Sequence, residues 1–252
     1  MMNLLKLVKY DWKRNAGMLL VLGTLFLLAE AALTVYSKIK HLDIEFIYVL
    51  SFVFYVAVTV MVCVTTCRTY ERNLRYFNRR LLPLPAVYTI LSPMLLGLAG
   101  LVVIGAVGVL HLVAIGMMWD SGILRISDVL ADRGFWSMLV ASTMFMMIIF
   151  LCITVSKIFT GKKGIWIGVA LFMALQFAFD WLEKLLFPDT AVTTDQFFES
   201  VNERITEGTD AVVHVRSTVP NFWGPLVFEI IAISVLVYAT AYLINRRLQA
   251  KG

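Results

Sequence analysis

Apolar positions along the chain fall in six long blocks, at about residues 16–36, 44–66, 87–118, 136–156, 165–187 and 224–244. Each block is long enough to cross a hydrocarbon core of about 30 Å, which takes roughly 20 residues of helix. The third block exceeds that need and contains Pro93, so a tilted or kinked helix is expected there. Residues 3–14 alternate differently. Leu4, Leu5, Val8 and Trp12 plot on one side of a helix and Lys6, Lys9 and Lys13 on the other, the pattern of a helix lying in a membrane interface. Residues 67–82 carry two stripes at helical spacing. Tyr70, Leu74, Phe77 and Leu81 form one, Arg68, Arg72, Arg75 and Arg79 the other, and Pro83 and Pro85 end the run.

The expected fold is therefore an all-α integral membrane protein, a single transmembrane domain of six spanning helices. It has an interfacial helix at residues 3–14, a second amphipathic helix at 67–82 and a large external loop at 188–223. A hydrophobic share of 60% against 15% charged residues, with a mean hydropathy of +0.82, fits this class and not a soluble domain of 252 residues. The first apolar run continues past the small-residue site Ala29-Glu30-Ala31 to Tyr36, so it reads as an uncleaved span and not as a signal peptide.

Charge then orients the spans. With the N-terminus inside, fifteen of the 22 Lys and Arg fall on inner segments and seven on outer ones, so the positive-inside rule puts both termini and residues 67–82 in the cytoplasm. The net charge of +5 thus reads as cationic inner loops and not as a nucleic-acid footprint. Only Asp11 and Glu71 are acidic on the inner side. The 188–223 loop is acidic, with Asp189, Asp195, Glu199, Glu203, Glu207 and Asp210 against Arg204 and Arg216, and residues 194–207 pattern as a short helix.

Candidate chemistry is sparse. No phosphate-binding G-x-x-x-x-G-K-[ST] run, H-E-x-x-H or G-x-S-x-G motif occurs, and His41, His111 and His214 lie in separate segments. An enzyme is not expected, nor a metal or cofactor in this chain. Cys63, Cys67 and Cys152 read as structural thiols. Ionisable groups at membrane depth are functional candidates, because burial costs several kcal/mol unless they are paired. Glu30, His111 and Glu229 are candidates on that ground for a substrate path, structural hydrogen bonding being the alternative for Glu30 and Glu229, while Asp180 and Lys184 have the spacing of a helical ion pair. Gly97, Gly100, Gly105 and Gly108 share a face of the third span, which signals close helix packing, within the chain or between subunits.

The order of these elements resembles the permease subunits of bacterial type 2 ABC exporters. The resemblance rests on the start Leu4-Leu5-Lys6-Leu7-Val8-Lys9-Tyr10-Asp11-Trp12-Lys13-Arg14, the run Arg79-Arg80-Leu81-Leu82-Pro83-Leu84-Pro85, and the loop end Pro220-Asn221-Phe222-Trp223-Gly224-Pro225. It implies that residues 67–82 are a coupling helix docking on a separate ATPase through Arg68, Tyr70, Arg72, Leu74, Arg75, Phe77, Arg79 and Leu81. It also implies a second permease copy or homologue, membrane lipids as surroundings, ATP and magnesium held by the partner, and a bacterial cell membrane as location. The acidic outer loop and the anionic intramembrane groups point to a cationic amphipathic peptide as cargo, with lipid-like molecules or drugs as the alternatives. The competing reading is a stand-alone membrane immunity or sensor protein that binds a partner without transport. Co-purification with an ATPase separates the two.

Overall fold

The computed structural model describes residues 4–40, 44–78, 85–118, 133–159, 162–188 and 223–248. Its elements are six helices: α1 (Leu4–Lys40), α2 (Ile44–Asn78), α3 (Ala86–Met118), α4 (Arg133–Ile158), α5 (Lys162–Leu186) and α6 (Trp223–Leu243). A π-helical turn, Ile244–Leu248, extends α6. All six are long and apolar enough to cross a membrane. Residues 189–222, which hold nearly all of the loop expected to be external and its expected short helix, lie outside the described residues.

The two amphipathic segments differ from expectation. Residues 4–14 continue without a break into the first span, and residues 67–78 continue the second; residues 79–84 lie outside the description. Nothing in either junction, neither Gly nor Pro at residues 12–16 or 64–70, interrupts helical propagation except Gly17, which a helix tolerates. At 1.5 Å per residue, the 37 residues of α1 and the 35 of α2 each give about 50–55 Å, well beyond a core of about 30 Å. α3 likewise runs on through Pro93.

Packing divides the bundle into α1–α2–α3 and α4–α5–α6, joined where α4 meets α2 and α3 and where α6 meets α3. The glycine face of α3 is an internal contact surface. A Cβ on Gly97 would lie 2.8 Å from Met146 Sδ and 2.9 Å from Thr66 Oγ1, one on Gly100 2.8 Å from Val62, and one on Gly108 3.3 Å from the Tyr55 ring. Thus α3 approaches α2, and at Gly97 also α4, so closely that a Cβ would require the facing side chains to shift. Gly168 serves α4 and α5 in the same way, against the Cys152 carbonyl. Several hydroxyls inside the spans are satisfied within their own helix: Thr65, Thr66 and Thr69 each donate to the carbonyl four residues earlier, at 2.8–2.9 Å.

The apolar core lies toward the end of the bundle that holds the start of α1, the end of α2 and the end of α4. Tyr70, Ile90, Met147, Phe150 and Ile244 are fully buried there. By contrast α5 is peripheral and exposes Trp166, Met173, Phe177 and Trp181 along one side.

Candidate functional site

The basic end of the bundle is built on the last three turns of α2. Tyr70 stacks on Phe150 of α4, with centroids 4.3 Å apart and planes at 17°. Thr154 Oγ1 donates to the Phe150 carbonyl, so the hydrogen of the 2.5 Å contact between the two hydroxyls belongs to Tyr70. Leu74 is buried beside it. Tyr70 and Leu74, expected on a docking face, are therefore used inside the chain. Their four-residue spacing marks a buried stripe, and α4 covers it.

The arginine stripe stays outside. Arg68, Arg72 and Arg75 are exposed. Arg75 Nη2 donates to Glu71 Oε1 at 2.7 Å, and Lys157 Nζ of α4 donates to the same oxygen at 2.7 Å. These pairs are open to solvent and contribute at most about 1 kcal/mol each. Among the described residues Arg68 and Arg72 have no acidic partner. The side chain of Phe77, and Arg79 and Leu81 altogether, lie outside the described residues.

A second cluster at this end was not anticipated from the sequence. Asp11 of α1 is fully buried. Its Oδ2 accepts from Asn73 Nδ2 of α2 at 2.8 Å and from Ser92 Oγ of α3 at 2.5 Å, and its Oδ1 accepts from Arg14 Nη2 at 2.9 Å. Arg14 also reaches Asn73 Oδ1 at 3.3 Å. One turn on, Asn15 donates to the Asp11 carbonyl at 2.8 Å and to Thr69 Oγ1 at 3.0 Å. The face of α1 turned inward is thus Leu7, Asp11 and Asn15, while Leu5 and Trp12 are exposed. The signal was the i, i+4 spacing of Asp11 and Asn15 with Leu7, a polar pair in line with an apolar residue.

The intramembrane candidates separate. Glu30 and His111 come together, Glu30 Oε2 lying 3.4 Å from His111 Nδ1 and accepting from Ser51 Oγ at 3.0 Å. Glu30 is 4% exposed, buried among α1, α2 and α3. Glu229 is elsewhere, on α6, half-buried, with Oε2 lacking a partner among the described residues. Asp180 and Lys184 do pair, at 2.9 Å on the exposed side of α5.

Two grooves open on the sides of the bundle. One, of about 390 Å³, runs between α1 and the α2–α3 pair and is lined by Trp12, Leu20, Phe26, Val62 and Ile104. The other, of about 720 Å³, separates α2 from α4 along Cys63, Cys67, Phe145 and Ile149, and ends at Arg68 and Glu71. Among the described residues no three His, Cys, Asp or Glu side chains are grouped to hold a metal ion, and the cysteines are free thiols. No family model, no curated protein and no solved structure matches the chain.

Proposed function

We propose that the chain is the membrane-spanning permease subunit of an ATP-driven ABC exporter in a bacterial cell membrane, working with a separate ATPase and a second permease copy. The observation that carries this reading is the two-sided character of the end of α2. One side presents Arg68, Arg72 and Arg75 outward. The other is held through Tyr70 to α4 and through Asn73 to Asp11 and Arg14 of α1, with Asp11 in turn bonded by Ser92 of α3. A surface that receives a push must be exposed to its partner and stiffly joined to the elements that move. This segment meets both conditions, and the sequence assigns Phe77, Arg79 and Leu81 to the same docking helix. Arginine suits such a face because its forked donors match carboxylates bidentately.

In this reading both termini and the end of α2 are cytoplasmic, by the distribution of Lys and Arg. ATP and magnesium are bound by the partner. The acidic residues of the 188–223 loop, with Glu229 below them, favour a cationic amphipathic peptide as cargo.

The test is affinity purification of the tagged permease from its native host, followed by ATPase assay of the eluate. The expected result is a stoichiometric ATPase that is lost from the Arg72→Glu, Arg75→Glu variant while that variant still inserts. Attraction to anionic lipid, worth about 1 kcal/mol per cation, is the competing use of these arginines. Replacing Arg68, Arg72 and Arg75 by Lys distinguishes the two, because lysine keeps the charge and loses the fork. An eluate without ATPase from wild-type cells overturns the proposal in favour of a stand-alone membrane protein.

A further inference from the structure

We propose that Glu30 and His111 form a proton-binding site inside the bundle, in which one proton lies between Glu30 Oε2 and His111 Nδ1 and ties α1 to α3. The argument follows hydrogens through the cluster. Thr34 has one hydroxyl hydrogen, and its Oγ1 donates that hydrogen to the Glu30 carbonyl at 2.8 Å. The same Oγ1 lies 3.0 Å from His111 Nε2. With its hydrogen committed, Thr34 can only accept there, so Nε2 carries a hydrogen. That choice leaves Nδ1 with a bare lone pair unless the ring takes a second proton. Nδ1 faces Glu30 Oε2 at 3.4 Å. Two lone pairs facing each other at that separation repel, whereas a proton between them makes the contact attractive, whether it resides on oxygen or on nitrogen.

Charge balance points the same way. With Nε2–H in place and no further proton, the pair carries one net negative charge; with one proton it is neutral. Glu30 is 4% exposed, and an uncompensated charge in such surroundings is costly. Among the described residues the one other donor aimed at the carboxylate is Ser51 Oγ, and it meets the same oxygen, Oε2. The second oxygen, Oε1, is buried without a partner among the described residues, as is the Tyr55 hydroxyl. Among the described residues the titratable groups facing the site from the packed helices are Tyr55 on α2, its ring centroid 6.3 Å from the imidazole, and on α1 and α3 the pair itself. Among the described residues no cation from another helix shares the carboxylate. The proton is therefore its counter-charge. This inference holds whether or not the chain pumps.

The test is solid-state NMR of the full chain in lipid bilayers, with nitrogen-15 in histidine and carbon-13 in glutamate. The sequence has only His41, His111 and His214, and the His111→Gln variant assigns the signal. The expected spectrum shows His111 Nε2 protonated and a bridging proton at Nδ1 or on the Glu30 carboxyl, with both residues changing together as it is released. Glu30→Gln should leave a neutral ring with hydrogen on Nε2 alone. Wild-type protein is expected to lose thermal stability as rising pH takes the proton away, and the variant should not show that loss. A bare Nε2, or a His111 and a Glu30 that titrate independently across about pH 5–8, overturns the proposal. The wild-type spectrum decides the matter even where the variant fails to insert.

Discussion

Replacing Asp11 by Ala removes the acceptor on which three helices converge. The carboxylate is fully buried and takes hydrogen bonds from Asn73 of α2, Ser92 of α3 and Arg14 of its own helix. A hydrogen bond to a charged acceptor contributes about 1.5–3 kcal/mol, so the two neutral donors together account for roughly 3–6 kcal/mol. The Arg14 side chain is 19% exposed and can turn partly to water, which reduces its share. Its Nε is already buried without a partner among the described residues, so it has little room to lose another. The expected cost is about 3–5 kcal/mol, the range for removing one member of a buried pair. In a bundle of this size that corresponds to a fall in melting midpoint on the order of 10 °C. Asp11→Asn keeps one acceptor oxygen and should cost less than half as much. The assay is thermal unfolding of purified protein in one fixed detergent, followed by tryptophan emission, with Asn73→Ala and the double variant completing a cycle. The double variant should fall short of the sum of the singles by about 0.5–3 kcal/mol. An Asp11→Ala midpoint within about 2 °C of wild type, or strict additivity with Asn73→Ala, would refute the reasoning.

Tyr70→Phe should cost about 1 kcal/mol, read in the same assay, because Thr154 keeps its bond to the Phe150 carbonyl and only the phenol's donor is lost. Gly97→Ala should destabilise by about 1–3 kcal/mol, since its methyl meets Thr66 and Met146 within 3 Å; Gly23→Ala, with open space around it, should be neutral or slightly stabilising. Impermeant thiol labelling of Ser200→Cys, in a chain lacking the three native cysteines, should proceed in intact cells; labelling only after the membrane is opened reverses the orientation. Phe77→Ala should release the ATPase without lowering the melting midpoint, and retention of full ATPase association would remove this helix from coupling.

Much of the architecture was legible because hydropathy over 20 residues is a strong signal and a bilayer enforces it. The ends of α3, α4, α5 and α6 fall within three residues of the apolar blocks. What pattern alone did not convey was where the amphipathic segments begin to be separate objects. Residues 4–14 and 67–78 have helical periodicity, and so have the spans beside them, so periodicity cannot mark a boundary where no Gly-Pro interruption or change of phase occurs. The stripe of Tyr70 and Leu74 posed a related problem. An apolar face on a helix end needs a cover, and a partner protein, a lipid layer and another helix of the same chain leave the same mark on the sequence. Only the approach of α4, which depends on contacts some 80 residues away, selects among them.

The acids at the basic end were the stronger clue. A chain that keeps fifteen cations on one side and only two acids there has placed those acids against the prevailing charge, and each needs a reason. Glu71 has a modest one, a surface bridge from α2 to Lys157 of α4. Asp11 has a larger one, since its burial would be prohibitive without the donors that α2 and α3 supply. The two acids therefore join the end of α2 to α1, α3 and α4 by different routes, one exposed and one sealed. A displacement of the arginine face would reach α1 and α3 through the sealed route, where the hydrogen bonds are dry and stiff, and α4 through the Tyr70 stack. On this reasoning the Glu71 bridge is dispensable for transmission and Asp11 is not, because water can replace the first set of contacts and cannot reach the second.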